Sequence, residues 1–578
     1  MTDSGLLITW EDDGPGIPDE EREIIFERRY GKNTGFGSFL VSEILDITGI
    51  TIPASHYPKA LISTYVAFTH MRTGIKLPAL IILMIALLAS AGCVSDHPVY
   101  QESSIGEMEY NKGLAEYEAG NYRAAEAAFE GSAVWYFANG FPDAGIRSRN
   151  AMFTANRTYA EFSFDEAAAR DSLKEGVPGI SDQEIDSWLA EEAQTLVSDG
   201  ETLYFYDTTK NYLYANTELL QKKDLPFTFA FMSRYALADD LRSGSLKTEE
   251  LPYRNPIHYE GTMYLEIAEE DLPAGGTMKI WYPHPIETDI QRDVTVTNMT
   301  YPEYIVKGPD VHQEIGIIYY EIPADAIDGD LVITVDIQFT SYEGIFVIDP
   351  ETVGEYDTAD PEYILYTSSE RNIEVNDAIR NKAHEIVGSE TNPHKQAQMI
   401  YEHIITTYPY SHVPHMSLDA KTPKVAESTH MFTTGHGDCG TQSMLFSAFC
   451  RSLGIPARAT GGYQMILQDT PGTHFWADYY LPGYGWVPVD PTVAEAADWF
   501  DVPEDDRIAF KKYYGTNIDP TRMVIQKNID ANVEPDYPDD AAIFRLVRQY
   551  PAIVSDVSME DMELIAMQGF RIDLAKKN

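Results

Sequence analysis

Hydrophobic and polar residues alternate with different periods in successive stretches of this chain. The densest apolar run, "LPALIILMIALLASAGCV" (Leu77–Val94), is free of charge and follows Arg72 and Lys76. At about 18 residues it sits at the lower limit of a membrane span. Its basic flank puts the N-terminal side in the cytoplasm and everything after it outside. From about Glu107 to Asp240 apolar positions recur at helical spacing. They predict a helix pair turning at Gly120-Asn121, then helices across Ile146–Leu173, Asp182–Leu219 and Phe229–Leu241. Between Tyr259 and Gly344 the period drops to two. "GTMYLEIAEE", "GGTMKIWYPHP", "RDVTVTNMTYP", "EIGIIYYEIP" and "DLVITVDIQFTSYEG" are strand-like runs divided by Pro, Gly and Asp. Their spacing predicts a β-sandwich of about 90 residues. Helical spacing returns in "NDAIRNKAHEIVGSE" and "NPHKQAQMIYEHIITTYPY", where Asn392-Pro393 opens the second helix. At 440–453, Met444, Leu445, Ala448, Phe449 and Leu453 form one stripe, with Gly454 as the C-terminal cap and Pro456 as a stop. "GTHFWADYYLPGYGWVPVDPT" alternates about Pro482–Gly485 and predicts a hairpin. An amphipathic helix is expected near Met559–Gln568.

Length and charge narrow this picture. A chain of 578 residues exceeds what one hydrophobic core serves, so a multidomain α+β protein is expected. The pattern divides it at 1–52, a linker at 53–70, the apolar segment at 71–94, a helical region at 95–245, a β-sandwich at 255–350, a mixed block at 360–495, and a C-terminal extension at 496–578. Lys and Arg number 42 against 91 Asp and Glu, a formal net charge of −49. That excess excludes nucleic acid, whose phosphates require basic contacts, and by itself names no partner. The three cysteines, Cys93, Cys439 and Cys450, are too few for a disulfide framework.

Cys439, in "GHGDCGTQSM", is the residue with candidate chemistry. With Asp438 as N-cap it opens the helix, where unpaired backbone N–H groups and the helix dipole are expected to lower a thiol pKa. The same N–H groups could serve an oxyanion, and Gly437 and Gly440 leave the sulfur accessible. Cys450 lies eleven residues on, about 16 Å along a helix, against a limit of roughly 7 Å for a disulfide. Cys450 therefore belongs to the core. A thiol needs a base. The hairpin brings Asp490 back to within a few residues of His474, so that Asp490 holds one ring nitrogen while the other faces Cys439. His412, His415, His430 and His436 also cluster near Cys439, but Pro414 disfavours a helix that would align the first two. No Cys-x-x-Cys or His-Glu-x-x-His pattern occurs.

Three blocks in order carry a resemblance: Gly-x-Cys opening a helix, "LGIPARATGGY", and "HFWADYYLPGYGWVPVDPT". Together they resemble the core of the transglutaminase-like superfamily, a papain-like Cys-His-Asp fold, over about Ile373 to Thr492. The resemblance implies Cys439 as acyl-accepting nucleophile, His474 as general base and acid, and Asp490 as orienting residue. It also implies an oxyanion donor from an upstream side chain, with Tyr408, Tyr410 and Thr434 in range. No metal or organic cofactor is implied. Other parts resemble other families. "ASAGC" is similar to the lipobox of lipoprotein signal peptides, which implies lipidation of Cys93 and a start at Met71; a plain signal-anchor helix is the alternative. "EDDGPGIPDE" and "GKNTGFGSFLVSEILDITG" resemble the nucleotide boxes of histidine-kinase ATPases through Asp12, Gly14, Gly16, Gly35 and Gly37. That fragment lacks the Mg²⁺-holding helix, so it reads as a remnant rather than a working kinase. Gly113, Tyr117, Gly120, Tyr122, Ala125 and Phe129 resemble one tetratricopeptide repeat, which reads as a spacer or a docking surface for a protein partner.

The expectation is a membrane-anchored, extracytoplasmic cysteine enzyme acting on amide or peptide bonds of proteins or cell-surface peptides. Hydrolysis is favoured slightly over amine transfer. The rival reading is a catalytically inactive cell-surface binding module of the same fold.

Overall fold

The structure is a computed structural model that describes residues 6–11, 61–66, 104–222, 252–418, 425–465, 471–538, 541–543, 549–556 and 558–577. Residues Met1–Val99 and Tyr100–Asn578 are two separate compact units. In the first unit the described residues are two antiparallel strands, β1 (Leu6–Glu11) and β2 (Leu61–Val66), in register from Leu6↔Val66 to Glu11↔Leu61. The second strand falls in the stretch read as a linker. The glycine boxes around Asp12, Gly14, Gly16, Gly35 and Gly37 lie outside the described residues, as do the apolar segment with Cys93 and the helix expected at Phe229–Leu241. Among the described residues no helix is long and apolar enough to cross a membrane.

The second unit opens with α1 (Ile105–Glu118), α2 (Tyr122–Ala138), α3 (Pro142–Tyr159), α4 (Glu166–Gly176) and α5 (Asp182–Glu191). The first two helices pack closely because Gly113 faces the Phe129 ring, where a Cβ would come within 2.6 Å. Gly120 takes the turn between them at φ +83. The continuous helix expected over Asp182–Leu219 does not form. A hairpin, β3 (Thr195–Ser198) and β4 (Glu201–Tyr204), interrupts it before α6 (Thr208–Ala215) and α7 (Thr217–Gln221). Its turn is Asp199-Gly200, both at positive φ (52 and 78). This is the pair that a two-residue hairpin turn favours.

Two sheets follow. Six of their strands are β5 (Tyr253–Ile267), β6 (Thr277–Pro283), β7 (Gln291–Thr297), β8 (Ile305–Lys307), β9 (Ile317–Pro323) and β10 (Leu331–Ile345). One sheet has the order β14 (Asn517–Ile518), β10, β5, β17 (Phe570–Lys576), with β7 also on β10, and the other has the order β16 (Ala552–Ser555), β6, β9, β8. The inward positions of β5 and β10 (Met263, Leu265, Ile333, Val335) share one buried cluster with those of β6 and β9 (Ile280, Tyr282, Ile318, Tyr320).

The remaining chain builds the mixed helix–sheet core. It runs through α8 (Pro361–Thr367), α9 (Asp377–Val387), α10 (Pro393–Thr407), the single turn α11 (His415–Leu418), α12 (Glu427–Thr434) and α13 (Cys439–Ser452). It continues with β11 (Ala457–Gln464), β12 (Gly472–Leu481), β13 (Gly485–Val489), α14 (Pro491–Ala496), α15 (Glu504–Tyr514), β14 (Asn517–Ile518) and β15 (Arg522–Gln526). Strands β13-β12-β11-β15 form one sheet. Helix α13 lies inside this core rather than along one face of it. Every residue from Gly440 to Arg451 is buried, not only the apolar stripe. The polar ones bond within the fold: Ser443 and Ser447 hydroxyls donate to carbonyls one turn back, and Arg451 pairs with Glu370 at 2.6 Å.

The C-terminal extension closes the two sheets. Strand β16 (Ala552–Ser555) pairs with β6, helix α16 (Met562–Gly569) follows, and β17 (Phe570–Lys576) pairs with β5. The helical region is likewise bound in. Arg149 donates to the carbonyls of Ser555 and Ser558, and Arg157 pairs with Asp561 and Glu563.

Candidate active site

Cys439 is the first residue of α13, and a reciprocal cap fixes that end. Asp438 Oδ1 accepts from Thr441 N–H at 3.1 Å, and Asp438 N–H donates to Thr441 Oγ1 at 2.7 Å. Gly437 is required here, because a Cβ would stand 2.6 Å from Met431 Sδ and 2.7 Å from Thr441 Oγ1. At Gly440, by contrast, a Cβ would meet Phe475 only at ordinary contact distance, 3.5 Å.

His474 stands on β12 and is almost fully buried. The hairpin register is Leu481↔Gly485 through Ala477↔Val489. One step further sets Asp490 level with Trp476 and diagonal to His474, so the three side chains share a face. His474 Nε2 and Asp490 Oδ2 are 2.8 Å apart. Asp490 also caps α14, accepting from Val493 N–H at 3.0 Å. Burial by itself pushes the Asp490 carboxyl up, but His474 and Arg522 outweigh it and hold the group at about 2. Because Nε2 is committed to Asp490, Nδ1 is the ring nitrogen left for a reacting group.

The thiol departs from expectation. Cys439 was expected to have a lowered pKa at a helix N-terminus. Burial instead pushes it well above the ordinary range, and the charges of Asp438 and Asp490 add to the rise. Backbone N–H groups of Phe475 and Gly440 pull the other way without prevailing. Desolvation of the sulfur, with two carboxylate charges acting on it, exceeds the pull of one helix end. Sγ makes its hydrogen bond to Asp438 Oδ2, at 3.9 Å, rather than to His474. The structure thus brings the sulfur to the backbone of Phe475, the residue next to His474. Cys450 is fully buried and unbridged.

Three neighbours complete the site, of which only His415 stood out in the sequence, as one of the clustered histidines. Arg522 on β15 approaches Asp490 Oδ2 at 2.8 Å, off the line of a hydrogen bond, and holds Asp519 Oδ2 at 2.6 Å. All three side chains are fully buried. An arginine inside the apolar run "RMVIQ" was the one available hint. Gln549 Nε2, from the tail, donates to the carbonyls of His474 and Gly462. His415 Nε2 lies 3.3 Å from Asp438 Oδ2, the same oxygen that the thiol contacts. The other clustered histidines go elsewhere: His412 to Asp207 and His436 to the Glu192 carbonyl. Among the described residues no group of three His, Cys, Asp or Glu is placed to hold a metal.

The three oxyanion candidates also separate. Tyr408 is in the core, its ring 5.8 Å from that of His403. Thr434 donates to the His430 carbonyl. Tyr410 forms a parallel bridge with Gly437, and its phenol is raised first by burial and next by the charge of Cys439.

Comparison with known proteins gives this region its family. Residues 380–491 match the transglutaminase-like superfamily and form a domain of that superfamily. An uncharacterized protein of Haemophilus influenzae is 28% identical over 174 residues, 26% of this chain and 46% of that protein. A protein-glutamine gamma-glutamyltransferase of Pseudomonas aeruginosa is 32% identical over 77 residues, 12% of each. The chain spans less than half the length of these curated relatives. Among solved structures, a candidate cysteine protease of Cytophaga hutchinsonii aligns over 56% of this chain and 92% of its own, at 17% identity and TM-score 0.36. The periplasmic domain of TgpA from Pseudomonas aeruginosa aligns over 44% of this chain and 92% of its own, at 13% identity and TM-score 0.22.

Proposed function

We propose that this protein is an extracytoplasmic cysteine enzyme that forms a thioester on Cys439 from an amide or peptide carbonyl. The observation that carries the reading is the 2.8 Å contact of His474 Nε2 with Asp490, which leaves Nδ1 for a reacting group. Because the thiol is protonated at rest, His474 Nδ1 takes its proton as Sγ attacks the carbonyl carbon. The tetrahedral oxyanion accepts from backbone N–H at the α13 end and from the Tyr410 hydroxyl. His474 then returns the proton to the leaving amine, the C–N bond breaks, and the thioester remains. Water, deprotonated by the same imidazole, releases the acid; an amine in its place completes transfer. Asp490 fixes the ring and balances the imidazolium, and Arg522 holds Asp490 ionised.

Hydrolysis is proposed ahead of transfer, although the Pseudomonas relative bears the name of a transferase. The extracytoplasmic placement and the membrane anchor, through lipidated Cys93 or a single helix, rest on the apolar Leu77–Val94 segment and its basic flank. The contact of Sγ with Asp438 rather than His474 favours a second reading, an inactive binding module. One experiment separates them: incubate the full chain with glutamine-containing peptides, with and without a primary amine, and weigh the intact protein. The enzyme reading expects an acyl adduct on Cys439 that is lost in Cys439→Ala and forms at least about a hundredfold more slowly in His474→Ala. Absence of any adduct, with ammonia release equal in parent and Cys439→Ala, supports the binding module.

A further inference from the structure

The helical region read from sequence as a spacer or docking surface turns four of its buried polar side chains, Glu161, Gln194, Asp207 and Asn211, onto one segment of the core. That segment is the strap 410–416, which follows α10 and runs into the first residues of α11. On its inner side the strap runs beside the residues that precede Cys439. Tyr410 bridges Gly437, Ser411 N–H donates to the Gly437 carbonyl at 2.7 Å, and Gly437 N–H donates to Ser411 Oγ at 2.8 Å. Tyr410 N–H donates to Glu495 Oε2 at 2.8 Å. On its outer side the strap is held by the helical region. Asn211 on α6 pairs both ways with the backbone of His412, accepting from its N–H at 2.7 Å and donating to its carbonyl at 3.0 Å. Gln194 Nε2 donates to that carbonyl at 2.6 Å, and Asp207 Oδ2 lies 2.7 Å from His412 Nδ1. Glu161 accepts from Met416 N–H at 2.6 Å. The ring of Tyr214 on α6 stands 4.8 Å from that of Tyr410 and 5.0 Å from that of Trp499.

We propose that the helical region is a positioning element of the active site, acting through Asn211 on His412. It sets the strap whose two ends carry Tyr410 and His415. Asn211 is 3% exposed, and its amide spends both a donor and an acceptor on the backbone of one residue, His412. A buried amide satisfied in this way admits one placement of that residue's backbone, because any shift leaves polar groups unpaired in the interior. The strap is therefore clamped from two sides, and the clamp point lies two residues from Tyr410 and three from His415. A phenol that receives an oxyanion must be held to a fraction of an ångström, so the outer clamp adds to the rate without touching substrate. Asn211 is thus a positioning residue. The inference rests on the reading of Cys439 as nucleophile and Tyr410 as oxyanion donor.

The test is a double-mutant cycle in the full chain with Asn211→Ala, Tyr410→Phe and both together. Acylation of Cys439 by p-nitrophenyl acetate gives kcat and KM, and iodoacetamide alkylation, which builds no oxyanion, serves as control. Tyr410→Phe is expected to slow acylation about a hundredfold. Asn211→Ala is expected to slow it about tenfold with KM and the alkylation rate within about twofold, and the double variant is expected to match Tyr410→Phe alone. Multiplying effects, or an alkylation rate that falls together with acylation, overturns the inference while leaving the enzyme reading intact. A parent chain that is not acylated at all removes the enzyme reading and this inference together. Gln194→Ala, which removes one of the two donors to the His412 carbonyl, gives the same readout if Asn211→Ala does not fold.

Discussion

Replacing Arg522 by Met tests whether the orienting carboxylate is held by a buried cation. The guanidinium lies 2.8 Å from Asp490 and 2.6 Å from Asp519, and all three side chains have no solvent exposure. Methionine matches much of the volume but removes the cation shared by two buried carboxylates, leaving Asp490 only His474 and its cap contact. Breaking a buried pair in this way costs about 3–5 kcal/mol, a large share of the roughly 5–15 kcal/mol that holds a typical domain folded. The pH dependence has a definite sign. Asp490 is held at about 2 against an ordinary 3.8, so its stabilisation is present above about pH 4 and is lost as pH falls towards 2. That displacement is worth about 2 kcal/mol at neutral pH. Without Arg522 the carboxyl titrates at higher pH, and the acid-side loss of both stability and activity moves up. Amide hydrogen exchange in β11 and β15, paired from Gly461↔Gln526 to Gln464↔Arg522, measures the cost locally. Exchange there should quicken about a hundredfold or more at pH 7, and Asp519→Asn in the same chain should recover part of the loss. Exchange within about threefold of the parent, or a double variant worse than the single one, would refute the buried-ion argument.

Two further outcomes are expected. Asp438→Asn keeps the cap on Thr441 N–H but removes a charge whose oxygen lies 3.9 Å from Sγ. A unit charge at that range is worth roughly 4 kcal/mol at intermediate dielectric, partly offset by His415, so iodoacetamide should alkylate Cys439 about tenfold faster at neutral pH; a slower rate counts against the assigned cause. Gly462→Ala drives a Cβ into the Met523 carbonyl oxygen and parts β11 from the strand that carries Arg522. A loss of about 1–3 kcal/mol should lower the melting temperature by several degrees, and a melting point within about one degree of the parent contradicts the packing.

The local features of the site were legible because short-range chemistry writes them. Asp438 as N-cap, Gly454 as C-terminal cap, Pro456 as stop, Asn392-Pro393 as start and the Pro482–Gly485 turn each act within a few residues of chain. The Asp199-Gly200 turn was equally local; helical spacing on either side masked it. The C-terminal strands were missed for another reason. Strand β17 pairs with β5 across some three hundred residues, and no pattern within "FRIDLAK" names its partner. The strap, the Asn211 clamp and Arg522 are likewise products of distant segments meeting.

By itself the sequence determined a cysteine at a helix start, a histidine on a strand and an aspartate at the far end of a hairpin, in an order that makes their meeting feasible. Periodicity and turn chemistry are enough for that, since each is set by neighbours along the chain. Only the tertiary structure decided the electrostatics of the meeting. It half-buried the sulfur beside Asp438 and in the field of Asp490 and reversed the expected direction of its pKa, set Arg522 behind Asp490, and brought a helical region over the strap beside Cys439. Desolvation and charge depend on what surrounds a group in space, and the order of residues along the chain does not contain that.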